Sequence, residues 1–154
     1  MSLAEILEQL DLRHTWLTVL SACETGLVDF REISDEHYGL PIGFLFAGTP
    51  TVWGTLWIVN DSTTALLMIK AYDCLIKGNS TKAEAIREAQ LWLRDMNAAD
   101  LELLIQEKQT RSAHDAITWT GSARLKDGLE NGTGPAERPF AHPFYWAGMQ
   151  SIGA

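Results

Sequence analysis

Two cysteines and four histidines are the residues of this 154-residue chain best suited to covalent chemistry. Cys23 stands in Ser21-Ala22-Cys23-Glu24-Thr25-Gly26, directly after the apolar, β-branched run 15–20. A thiol just past a buried strand and facing a helix N-terminus has a lowered pKa and acts as a nucleophile. The competing reading is a small buried hydrophobe, the usual state of an unpaired cysteine, and spacing alone leans that way. Cys74 falls on the flank of an amphipathic helical pattern and reads as structural.

A cysteine nucleophile needs a base. His14 precedes the run and Cys23 follows it, so a strand between them separates the two by roughly 20 Å, at about 3.3 Å per residue. His14 is thereby excluded. His37 lies near the correct edge, ahead of a crossover helix, and is the weak alternative base. A single loop histidine is more often a solvated surface group. His114 cannot be placed, and His142-Pro143 reads as shaping the approach to a final strand. Asp61 has two readings, as a helix cap satisfying orphan backbone donors or as a carboxylate facing a cationic substrate group. No Gly-rich phosphate loop follows a strand, no Gly-x-Ser-x-Gly elbow is present, and no cluster has metal-ligand spacing. No cofactor or metal is expected.

The composition narrows the classes of protein this chain can be. Twelve Lys+Arg against 20 Asp+Glu give a net charge of −8, which disfavours a nucleic-acid partner. With 46% hydrophobic residues the chain is no disordered acidic tail, and its length suits one domain, 1–154. The cysteine count and the lack of a signal-like N-terminus point to a reducing, cytoplasmic setting. Residues 38–59 carry no charge, but Pro41, Gly43, Gly48, Pro50 and Gly54 interrupt them, so a buried core segment is expected rather than a membrane span.

The elements follow from periodicity. Helices are expected over 3–10 and 40–47, the second ended by Gly48, with 27–37 a polar loop. Strands are expected at 15–20 and 51–59. Asn60 or Asp61 caps a helix to about Lys77, with Ala65, Met68, Ile69, Tyr72, Leu75 and Ile76 as its core stripe and Lys70, Asp73 and Lys77 in water. Ser80 caps the next helix, reinforced by Glu84, with Ile86, Ala89, Leu93 and Met96 inward. A helix over 100–109, a loop or insertion at about 110–139 and a last strand within 140–152 complete the pattern. Strand–helix–strand order predicts an α/β fold with a mainly parallel sheet, whose chemistry gathers beyond the carboxyl ends of the strands.

The block Trp16-Leu17-Thr18-Val19-Leu20-Ser21-Ala22-Cys23-Glu24-Thr25-Gly26 resembles the nucleophile strand and loop of CHAT domains, a caspase-like group found fused to helical repeats. The likeness continues in Gly39-Leu40-Pro41, Gly43-Phe44-Leu45-Phe46-Ala47-Gly48, Gly54-Thr55-Leu56-Trp57-Ile58-Val59-Asn60-Asp61, Ala89-Gln90-Leu91-Trp92-Leu93-Arg94 and His142-Pro143-Phe144-Tyr145-Trp146-Ala147-Gly148. The resemblance implies a caspase-like α/β/α sandwich, kinship with separases and caspases, and cysteine-peptidase chemistry with Cys23 as nucleophile. It makes Glu24, Thr25, Gly26, Asn60 and Asp61 the candidates to line a substrate cleft. In caspases the base histidine sits about 50 residues upstream of the cysteine. No such segment precedes Cys23, so the chain is expected to be a C-terminal half of the domain, lacking its N-terminal strands.

Two functions follow as expectations. One is the nucleophile-bearing half of a cysteine endopeptidase acting on a protein or peptide, inactive alone. The alternative is a non-catalytic interaction module, a degenerate remnant docking with a helical-repeat, TPR-like partner or fused domain. A missing strand would leave a sheet edge open to self-association.

Overall fold

The computed structural model describes residues 3–20, 36–78, 80–112 and 137–154. Six helices and three strands follow in the order α1 (Leu3–Gln9), β1 (Thr18–Leu20), α2 (Glu36–Phe46), β2 (Thr51–Thr55), α3 (Asp61–Lys77), α4 (Lys82–Asp95), α5 (Ala98–Ser112), α6 (Pro143–Trp146) and β3 (Met149–Gly153).

The architecture is set at β2. Its neighbours Val52 and Trp53 are both fully buried, but in different cores. Val52 packs with Ile6, Phe44 and Ala47 of the α1–α2 layer. Trp53 packs with Leu66 and Leu67 of α3, Ala89 and Leu93 of α4 and Leu101 of α5. Successive side chains of a strand point to opposite faces, so this division makes an α/β/α sandwich. Near-continuous burial along β2, rather than alternation, is what a strand covered on both faces requires.

The sheet order is β1-β2-β3. β1 and β2 are parallel, pairing Thr18 with Val52 and Leu20 with Gly54. The crossover helix α2 joins them, as the strand–helix–strand order predicts. β3 is antiparallel to β2, from Thr51 with Gly153 to Thr55 with Met149, so the described sheet is mixed.

Element bounds differ from the sequence expectation in instructive ways. α2 begins at Glu36, four residues early, and carries Pro41 inside it. The Pro41 ring faces the bare Gly54 of β2, where an added Cβ would lie 3.9 Å from its Cγ. The helix stops as expected at Gly48, whose φ of 114° few side-chain-bearing residues adopt. A Cβ there would also meet the Arg13 backbone nitrogen at 2.8 Å. Both strands are shorter than their apolar runs. β2 ends at Thr55, and Leu56, Trp57 and Ile58 are exposed, because the ladder to β3 closes with Leu56 N donating to Gly148 O at 2.7 Å. The expected last strand is one turn of helix, α6, followed by β3.

The α3 stripe is rotated from its predicted position. Its buried face is Ser62, Thr63, Leu66, Leu67, Ala71 and Cys74, while Ile76 is 80% exposed. Two apolar arcs of similar width compete on this helix. The buried one begins with polar residues whose hydrogen bonds, such as Thr63 Oγ1 to Asn60 O at 3.1 Å, remove the cost of burying them. Lys70 stands 6.0 Å over the Trp92 ring rather than wholly in water. On α4 the cap is Thr81, not Ser80. The reciprocal bonds of a capping box need Ser or Thr three residues ahead of Glu84, and only Thr81 has that spacing. The inward set Ile86, Ala89, Leu93 and Met96 is buried as expected.

The uncharged 38–59 segment is the end of α2, a turn, β2 and the exposed turn after it. No helix among the described residues is long and apolar enough to cross a membrane.

Candidate active site

The carboxyl ends of β1 and β2 share one edge of the sheet, since the strands are parallel and Leu20 pairs with Gly54. Cys23, Glu24, Thr25 and Gly26 follow β1 directly but lie outside the described residues. The segment after β2 is described in full, and it runs through Leu56–Val59 to Asn60 and Asp61 at the start of α3.

Asn60 is the cap of α3. Its Oδ1 accepts from the backbone N–H of Ser62 at 3.1 Å and of Thr63 at 3.2 Å, satisfying two of the donors a helix start leaves orphaned. Asp61 is therefore not the cap. It is the exposed first residue of α3, where the positive end of the helix dipole favours a carboxylate. With the Asn60 oxygen committed to backbone, Asp61 is the carboxylate this turn offers at the strand edge.

The turn is held from the far end of the chain. Trp57 Nε1 donates to Phe144 O at 3.3 Å. A Cβ on Gly148 would lie 2.7 Å from Val59 Cγ1 and 3.0 Å from Trp57 Nε1, so the turn packs on bare backbone. Gln90 Nε2 of α4 donates to Met149 O at 2.7 Å, fixing the start of β3 beneath it. This clamp was not foreseen from the sequence; the run of aromatic residues before Gly148 was its only signal.

The histidines separate clearly. His14 is exposed four residues before β1, at the opposite edge of the sheet. His37 falls in the first turn of α2, not in a loop. His142 caps α6, its Nδ1 accepting from Phe144 N at 3.2 Å. That bond occupies the Nδ1 lone pair and places the proton of the neutral ring on Nε2, so His142 is arranged as a donor rather than a base. His114 lies outside the described residues. Among the described residues no group of three or more His, Cys, Asp or Glu is placed to hold a metal. Cys74 is buried on α3, and burial, followed by Glu88 beside it, raises its thiol pKa. A thiol kept protonated in this way is structural.

Compared with protein-family models, the chain matches the CHAT domain over residues 1–154. It belongs to the CHAT-domain family. That family is caspase-like, which makes this a peptidase-like domain and fits the parallel β1–β2 unit with its crossover helix. No curated protein and no solved structure matches the chain. The CHAT assignment agrees with the resemblance carried by the motif blocks, several of which meet at the carboxyl edge: 54–61 supplies the turn and cap, and 142–148 supplies the clamp.

Proposed function

We propose that this CHAT domain carries the nucleophile loop of a cysteine endopeptidase. Cys23 attacks the scissile carbonyl, the leaving amine takes its proton from a histidine base, and backbone N–H groups near Cys23 stabilise the oxyanion. Asp61 lines the substrate cleft. The base comes from a segment outside 1–154. Supporting this, His14 stands at the wrong edge and His142 uses Nδ1 as an acceptor, while a cysteine without a base is mostly protonated at neutral pH.

The single observation that supports the reading is the parallel pairing of Leu20 with Gly54, which brings the carboxyl ends of β1 and β2 to one edge of the sheet, the edge from which β2 runs on to Asn60 and Asp61. The test is peptide-library cleavage by purified 1–154, alone and co-expressed with the polypeptide encoded immediately upstream. The expected result is no turnover alone and cleavage with the upstream segment, lost in Cys23→Ala. Robust cleavage by 1–154 alone, abolished by Cys23→Ala, would put the base within this chain, with His37→Ala the next variant. Turnover indifferent to Cys23→Ala would remove the nucleophile assignment.

A further inference from the structure

His142 is tied to the turn after β2 through a single intervening residue. Its Nδ1 accepts from the backbone N–H of Phe144 at 3.2 Å. The carbonyl of that same Phe144 accepts from Trp57 Nε1 at 3.3 Å. What fixes Phe144 at the start of α6 therefore also fixes the acceptor that holds Trp57, three residues before Asn60.

α6 has little else to hold it. It is four residues long, braced by Tyr145 N to His142 O at 3.1 Å, Ala147 N to Pro143 O at 2.8 Å and Trp146 Nε1 to Ala141 O at 3.1 Å. A single helical turn is unfavourable to form by itself, so the cap is a large share of its support. Nδ1 keeps a lone pair only while the ring is neutral. A second proton on the ring makes Nδ1 a donor, and two N–H groups then face each other where one bond stood. Histidine is the side chain whose charge ordinarily changes between pH 5 and 8. We propose that His142 is a proton switch on the clamp: the neutral ring holds Phe144 against Trp57, and protonation frees the turn that leads to Asn60 and Asp61.

The ring is placed to act in this way. His142 is exposed to solvent protons, and residues 137–154 around it are all described. Its own element has no charged residue. α4 and α3 pack against α6. α4 brings Arg94, 6.0 Å over the Trp146 ring, and Asp95, which is held by Arg94 at 2.6 Å and by Arg138 at 3.0 Å. α3 brings Asp61 at its start. Among the described residues none forms an ion pair with His142. The switch belongs to the turn itself, so it stands or falls apart from the role of Cys23, and its test needs no peptidase activity.

The test follows the indole N–H signals of the six tryptophans of the full chain by ¹⁵N NMR, the Trp57 signal being the one lost in Trp57→Phe. As pH falls from about 8 to about 5, the wild-type Trp57 signal is expected to move toward the position it holds at every pH in His142→Ala. Loss of the cap lowers the ratio of clamped to released turn about fivefold. His142→Asn supplies a capping oxygen on a side chain that does not titrate, and is expected to keep the wild-type high-pH signal throughout. A Trp57 signal that ignores pH in the wild type, that moves equally in His142→Asn, or that is unchanged by His142→Ala would overturn the proposal. So would equal movement of all six signals, which reports a general loosening rather than a switch at this turn.

Discussion

Trp57 and Phe144 are 87 residues apart in the chain, yet the indole N–H of the first donates to the carbonyl of the second at 3.3 Å. The bond closes the turn after β2 onto the one-turn helix α6, and Gly148 leaves the space that Trp57 and Val59 fill. Gly148→Ala is expected to displace Trp57 and Val59 and, through them, the Asn60–Asp61 turn. If the turn lines the cleft as proposed, the variant in a reconstituted peptidase would raise KM more than it lowers kcat, because it moves that wall and not the proposed nucleophile. Wild-type KM in Gly148→Ala would detach this clamp from the site.

Asn60 and Asp61 are predicted to separate stability from activity. Asn60→Ala removes an N-cap and is expected to cost about 1 kcal/mol, lowering Tm by about 2–4 °C. Asp61→Asn keeps the cap and removes a carboxylate that the helix dipole favours, worth about 0.3–1 kcal/mol, so a Tm loss smaller than that of Asn60→Ala is expected. Its effect would fall on substrate binding. Thermal melts of the two variants, read beside peptide cleavage, check the division.

Cys74 is expected to resist alkylation by iodoacetamide in the native protein and to react on unfolding, because burial raises its pKa. Mass spectrometry of the alkylated chain distinguishes it from Cys23. Rapid native labelling of Cys74 would mean the α3–α4 seam opens readily.

A pH-dependent contact stands at the amino edge. The Arg13 guanidinium bonded to Asp11 holds that carboxyl down at about 2. A depressed carboxylate contributes stability above its unfolded pKa, near 3.9, which is lost as pH falls through its folded value. The pair is exposed, so its contribution to stability is small. The observable is the Asp11 titration by NMR. Arg13→Ala removes the guanidinium but keeps the residue-13 N–H bond to Asp11 Oδ1, so the titration is expected to move part of the way back toward the ordinary carboxylate range, and an unchanged titration would remove the guanidinium as the cause.

Self-association is expected through β1. Among the described residues β1 has a ladder partner only in β2, and Trp16 just before it is 57% exposed. Sedimentation over a concentration series should show association that Trp16→Ser reduces. A monodisperse, cooperatively melting monomer at high concentration would end this reading.

Signals carried by local chemistry were legible in the sequence. The Ser80 and Glu84 signals locate the start of α4 to within a residue, and Gly48 locates the end of α2. The position of Asn60–Asp61 beyond β2 follows from the strand–helix junction. Features decided by distant partners were not legible. The buried face of α3 includes Thr63, whose hydroxyl donates to Asn60 O, a bond that hydrophobic periodicity does not weigh. The run 56–59 is apolar enough for a strand, but strand length is set by how far β3 reaches, and β3 pairs only as far as Thr55. The Trp57–Phe144 clamp joins two segments whose proximity no local pattern encodes.

Because Val52 and Trp53 send adjacent side chains into separate cores, neither helical layer can melt while β2 stays folded. β2 is also hydrogen-bonded along both sides. Its amides should therefore exchange with deuterium only when the whole domain opens, and the two layers should unfold in a single transition. The turn that carries Asp61 thus hangs from a strand expected to exchange among the slowest of the described residues, while its clamp at 144–148 lies close to the chain's C-terminal end.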